Sequence, residues 1–169
     1  MGFLGKLLGK DRSLELKDVM LNLELLAEAE AHISSFYRLC AGAMTEEKDL
    51  WNFLADQELQ HADKVKDMLG LIAGKPQMYR PGISFSTVTI KLFAVQMQRL
   101  AEQMDQGLIP PAQLYEIALE IEDSAVELSY SRIVKTEDEA FKSLAHQIDS
   151  ESAEHKSAIS AKMKAPSAR

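Results

Sequence analysis

The chain has 169 residues, 46% of them hydrophobic and 27% charged, with a formal net charge of −7. That length and apolar content support one domain with a real core, and the negative balance argues against a nucleic-acid partner. A single cysteine, Cys40, excludes an intrachain disulfide and a multi-cysteine metal knuckle, and no apolar run approaches the roughly 18 residues that span a bilayer.

Residues 1–13 open with MGFLGKLLGK, which is basic and apolar. It has no small-residue cleavage site behind it, as a secretory signal would. Lys6 stands where an N-myristoylation pattern takes Ser or Thr. A cytoplasmic location is therefore expected. Two readings of the segment stay open: a frayed or packing terminus, or a weak membrane-surface contact through residues 1–10, with Phe3, Leu4, Leu7 and Leu8 beside Lys6 and Lys10.

The helical domain is expected over residues 14–163. Its first helix runs from about Leu14 to Met44. Steps of three and four pick out Leu23, Leu26, Glu30, Ile33, Tyr37 and Cys40 on one face. Glu30 lies in the middle of that face, whereas Glu24, Glu28 and His32 point away. Thr45, followed by Glu46 and Glu47, has the form of an N-cap with acids in the first turn. It opens a second helix that Gly70 or Gly74, with Pro76, closes. Here the stripe is Trp51, Leu54, Glu58, His61, Val65 and Met68. Glu58 and His61 are neighbours at i and i+3. A buried, unpartnered Glu is costly, and a metal ion held between helices is one physical reason to place Glu-x-x-His there.

Residues 75–85 read as a loop with two prolines. Ser86 to Gln106 is helical again, with Ile90, Phe93, Met97, Leu100 and Met104 on one side and no acid or histidine among them, which suits a packing helix or a subunit contact. Gly107 ends it. The next helix, about Pro111 to Lys135, starts at a proline, as helix N-termini tolerate. Its apolar arc includes Leu114, Ile117, Ala118, Leu119, Ile121, Ala125, Val126, Leu128, Tyr130 and Ile133. Glu122 falls near the middle of the arc and Asp123 at its edge, while Glu116, Glu120 and Glu127 lie on the polar side. Thr136 to Glu139 has the pattern of a capping box and opens the last helix, with Phe141, Leu144, Ile148, His155 and Ile159 inward. His146 and Glu154 point elsewhere. Glu151 lies one turn before His155 and close to the same face. Ser152 occupies the place where Glu-x-x-His would put the acid. Residues 164–169 are expected to be a disordered tail.

The inward polar set is Glu30, Glu58, His61, Glu122, Glu151 and His155, carried by four helices. Carboxylates and imidazoles aimed into one core are the ligand set of dinuclear carboxylate bundles. Two divalent ions carry four positive charges, which four carboxylates neutralise. One imidazole per ion completes its ligands while leaving a position open. The donor types favour two iron ions, with manganese or zinc as alternatives. Tyr37 and Tyr130, on inward faces, stand behind these ligands either as hydrogen-bond donors to bound oxygen or as plain core aromatics.

Four stretches carry a family likeness: Glu30 with Phe36-Tyr37; Phe53-Leu-Ala-Asp-Gln-Glu58-Leu-Gln-His61; Ala118-Leu-Glu-Ile-Glu122; and Ile148 with Glu151 and His155. Together they resemble the rubrerythrin branch of the ferritin-like superfamily, over roughly residues 14–163. The resemblance implies an all-α, ferritin-like four-helix bundle, with an extra helix in the long crossover between its second and third helices. It also implies a di-iron centre that reduces hydrogen peroxide or reacts with O₂, commonly in a homodimer. Relatives carry a rubredoxin-like four-cysteine iron domain, which one cysteine cannot build, so a separate electron-donor protein is expected. Three other functions fit the same residues: a ferroxidase in iron handling, a membrane-associated hydroxylase of quinone-like substrates, and a non-enzymatic bundle with a degenerate site.

Overall fold

A computed structural model describes residues 3–82, 86–128 and 130–164. The described residues form an all-α molecule of six helices with one small two-stranded ribbon. The helices are α1 (Phe3–Ala43), α2 (Lys48–Gly74), α3 (Thr87–Asp105), α4 (Leu114–Leu128), α5 (Tyr130–Ile133) and α6 (Glu139–Lys164); the strands are β1 (Tyr79–Pro81) and β2 (Val134–Thr136). No helix among the described residues is long and apolar enough to cross a membrane. The expected tail falls largely on residues 165–169, outside the described residues, as do the side chains of residues 3–15 and hence the surface-contact reading of residues 1–10.

The core consists of two apolar clusters. One gathers Phe36, Tyr37, Cys40, Trp51, Leu54, Leu114, Ala118, Ile121 and Ile159. The other gathers Leu23, Leu26, Val65, Met68, Ile72, Tyr79, Tyr130, Phe141 and Ile148. Each such large side chain contributes about 1.5–3 kcal/mol by leaving water. The helices touch these clusters in an order that sets their direction. α1 passes from the second cluster to the first, as does α6. α2 passes from the first to the second, as does the α4–α5 pair, with Leu114, Ala118 and Ile121 in the first and Tyr130 in the second. Glu58 and His61 on α2, Glu122 on α4, and Ser152 and His155 on α6 lie between the two apolar stretches, and Glu30 lies where they meet on α1. A polar layer is thus held between two dry ones.

Because α2 and α4 run the same way, the chain must return along the molecule between them. α3 makes that return, packed on α1, with Ile90, Ala94, Met97 and Met104 buried. Gly107, at φ 68°, takes the left-handed turn that ends this stretch.

The structure differs from the sequence reading at several boundaries. α1 begins at Phe3, well before Leu14. Thr45 does not cap α2: Thr45–Glu47 is a 3₁₀ turn, and α2 starts at Lys48 without a side-chain cap. Gly70 lies inside α2, and Gly74 is its last residue. The supposed loop after Gly74 contains β1, which pairs antiparallel with β2, Arg80 opposite Lys135. β2 also shortens the helix expected to reach Lys135. At Gly82 a side chain would run into the Arg132 carbonyl oxygen, because its amide donates to Ile133 O at 2.8 Å. The cap of α6 is Asp138, not a box closed by Thr136. The Ala140 amide donates to Asp138 Oδ1 at 3.0 Å, while the Thr136 hydroxyl accepts from the Asp138 amide. Asp138 also receives the buried Tyr79 hydroxyl at 2.8 Å, which ties the ribbon to the helix start.

Candidate metal centre

The polar layer contains Glu30 from α1, Glu58 and His61 from α2, Glu122 from α4, and Ser152 and His155 from α6, each no more than 4% exposed. Their spacing explains their position. Each continues the three-and-four stripe of its helix, so packing of the flanking apolar residues carries it into the core.

Glu58 is the hub. Its Oε2 stands 2.9 Å from His61 Nδ1, and its Oε1 stands 2.9 Å from His155 Nδ1. The two imidazoles stack across it, ring centres 5.4 Å apart and planes inclined by 23°. Glu122 Oε2 lies 3.7 Å from His155 Nδ1. Two donor groups result, Glu30 with Glu58 and His61, and Glu58 with Glu122 and His155. Within each group one ligand atom per residue lies within 4.8 Å of the others. Glu58 belongs to both.

These buried groups could hold metal ions, and two observations support the fit. Glu30 Oε2 and His155 Nε2 are buried with no hydrogen-bond partner, which a closed structural network would avoid. The donor types, carboxylate oxygen and imidazole nitrogen, suit a divalent transition metal.

The electrostatics agree with a site awaiting positive charge. Burial, and then the charge of Glu58, raise the Glu30 carboxyl well above its usual range. The same two causes raise Glu122 to about 7, against the hydrogen bonds from His155 and Tyr37. Burial pushes Glu58 upward too, but the hydrogen bonds of His155 and His61 prevail and hold it well below the carboxylate range. His155 is displaced downward by burial and upward by Glu122 and Glu58, and settles at about 10. Without metal, protons and imidazolium charge share this layer among the acids.

Tyr37 and Tyr130 act on two of these carboxylates. The Tyr37 hydroxyl donates to Glu122 Oε1 at 2.7 Å, and the Tyr130 hydroxyl donates to Glu30 Oε1. Burial and the neighbouring carboxylate charges raise both phenols well above their ordinary value, so both stay protonated as donors. Tyr130 is seated in turn by Asp149, which accepts from its backbone amide at 2.8 Å.

Glu151 is the one expected ligand that joins neither donor group. Its Oε2 stands 2.9 Å from His61 Nε2, on the far side of the ring from Glu58, and the Lys64 ammonium also donates to it. Partial burial pushes its carboxyl up, but Lys64 and His61 together hold it below the usual range. The reason is angular. Glu151 lies one residue short of the buried face on which Ser152 and His155 are in line, so it reaches the outer edge of His61 instead of the centre. If His61 held a metal ion through Nδ1, its Nε2–H would donate to Glu151, which would fix the ring and its tautomer. Lys64 was absent from the sequence reading, although its i+3 position from His61 places it beside that histidine. Asp123, the second-choice acid of α4, is exposed and pairs with Lys156.

No protein-family model, curated protein or solved structure matches this chain.

Proposed function

We propose that this chain is a rubrerythrin-like member of the ferritin-like superfamily. On this reading it holds two iron ions and works as an oxidoreductase toward hydrogen peroxide or O₂. The observation that carries the proposal is the membership of Glu58 in both buried donor groups. A carboxylate with each oxygen directed at a different imidazole suits a pair of ions and has little use as an isolated core residue. The helix directions, with α3 as the long return between α2 and α4, support the ferritin-like part of the reading.

Iron would supply redox electrons and Lewis acidity at this place. The chain's own part is distinct. Glu30, Glu58, His61, Glu122 and His155 provide the donors. Tyr37 and Tyr130 hold two of the carboxylates in position, and Glu151 with Lys64 sets the His61 ring. The two apolar clusters close the site above and below. The separate electron donor, the homodimer and the cytoplasmic location belong to the same proposal.

The test is anaerobic loading with ferrous iron, followed by one equivalent of hydrogen peroxide per iron pair. Rapid oxidation of both irons with consumption of the peroxide supports the reading. Iron that stays ferrous, or peroxide consumed no faster than by free ferrous ion, contradicts it.

A further inference from the structure

The polar layer has an internal two-fold arrangement with one break in it. Glu30 and Tyr37 on α1 correspond to Glu122 on α4 and Tyr130 on α5. The hydroxyls cross, Tyr37 to Glu122 and Tyr130 to Glu30. His61 on α2 corresponds to His155 on α6, each with Nδ1 2.9 Å from a Glu58 oxygen. The counterpart of Glu58 itself is residue 152, likewise three positions before its histidine. That residue is Ser152, buried at 4% exposure.

The substitution changes both charge and volume. Glu30, Glu58 and Glu122 bring three negative charges to the two groups, so two divalent ions would leave one positive charge uncompensated in a buried layer. Uncompensated buried charge is strongly unfavourable. A serine is also smaller than a glutamate by about one carboxylate group, and it ends in a hydroxyl able to donate. From this shortfall we infer that the metal-loaded protein binds a small monocarboxylate anion, of the size of formate or acetate. The anion takes the place that a carboxylate on residue 152 would fill and accepts a hydrogen bond from the Ser152 hydroxyl. The inference rests on the dinuclear reading proposed above.

The test uses the full chain loaded with Co²⁺, whose visible spectrum reports its ligands, with bound cobalt per chain measured on the same samples. Acetate is titrated at constant pH, with chloride keeping the ionic strength fixed. Wild type is expected to hold two Co²⁺ per chain and to show a saturable, acetate-specific spectral change. Ser152→Glu is expected to hold two Co²⁺ with its spectrum unmoved by acetate, the added side chain having taken the place. Ser152→Ala is expected to keep the response with roughly two- to tenfold weaker acetate affinity, for the loss of one hydrogen bond. Two Co²⁺ per wild-type chain with no acetate response would overturn the inference alone, as would a Ser152→Glu protein that binds acetate like wild type. Fewer than two Co²⁺ per wild-type chain would overturn the dinuclear reading beneath it.

Discussion

The Tyr37 hydroxyl donates to Glu122 Oε1 at 2.7 Å and so connects α1 to α4 across the polar layer, 85 residues apart in sequence. Tyr130 repeats the connection in the opposite sense, 100 residues back to Glu30. The carboxylates of α1 and α4 are therefore each fixed by a phenol from the other half of the chain. Burial alone would leave both acids free to turn away.

Replacing Tyr37 by Phe keeps the ring among Phe36 and Trp51 and removes only the donor. The metal-free protein is expected to lose about 1–3 kcal/mol, the effect of depriving a buried carboxyl of a partner. Urea denaturation measures it. Metal affinity is expected to fall roughly 10–100-fold, as for other groups that orient a ligand, and competition with a chelator measures that. Unchanged values for both would mean that Tyr37 serves only as core.

Much of this layer was legible in the chain because helical periodicity is a local signal. Glu30, Glu58, His61, Glu122 and His155 each interrupt an apolar stripe at a position that the neighbouring Leu, Ile and Trp residues force inward. What escaped notice depends on distant partners or on pieces too short to be periodic. β1 and β2 have three residues each and are defined by pairing with each other. Thr136 and Glu139 mimic a capping box, and Asp138 is distinguished as the cap by the Ala140 amide and the distant Tyr79 hydroxyl that it accepts from. The crossed phenol–carboxylate bonds have no signature in sequence spacing. Glu151, expected close enough to the buried face to reach inward, is offset by one residue from it and meets the outer edge of His61 instead.

Glu151 is accordingly expected to affect metal affinity without supplying a donor atom. Glu151→Ala should weaken metal binding roughly 10–100-fold while leaving the number of sites unchanged. Glu151→Gln keeps an acceptor for the His61 Nε2–H and should lose much less. Equilibrium competition with a chelator distinguishes the two. Loss of a whole metal equivalent in Glu151→Ala would instead make Glu151 a direct ligand.

The titrating groups set a sign for stability against pH. Glu122, raised from 4.5 to about 7, favours the folded state fully below pH 4.5 and loses that contribution as pH rises toward 7. Glu30 is raised in the same direction. His155, raised from 6.5 to about 10, stabilises below pH 6.5 and loses its contribution as pH rises toward 10. Glu58, lowered, acts oppositely, but only as pH falls below its usual range. The metal-free protein should therefore melt at lower temperature at about pH 8.5 than at about pH 5.5. Bound metal replaces the missing protons, so the rise in Tm on adding Mn²⁺ should be larger at about pH 8.5. Thermal scans of chelator-treated protein with and without Mn²⁺ check both statements. A metal-free Tm that increases over this range would contradict the charge balance described for the layer.

The most direct measurement is the metal content per chain of wild type and Glu58→Ala, by elemental analysis of protein made in iron-supplemented medium. Because Glu58 serves both donor groups, the account predicts about two irons per wild-type chain and loss of both in the variant. The folded helical content should be retained, since the removed side chain lies in the polar layer and not in either apolar cluster. A wild-type chain without metal, or a Glu58→Ala chain that keeps its full complement, would contradict the shared-carboxylate centre.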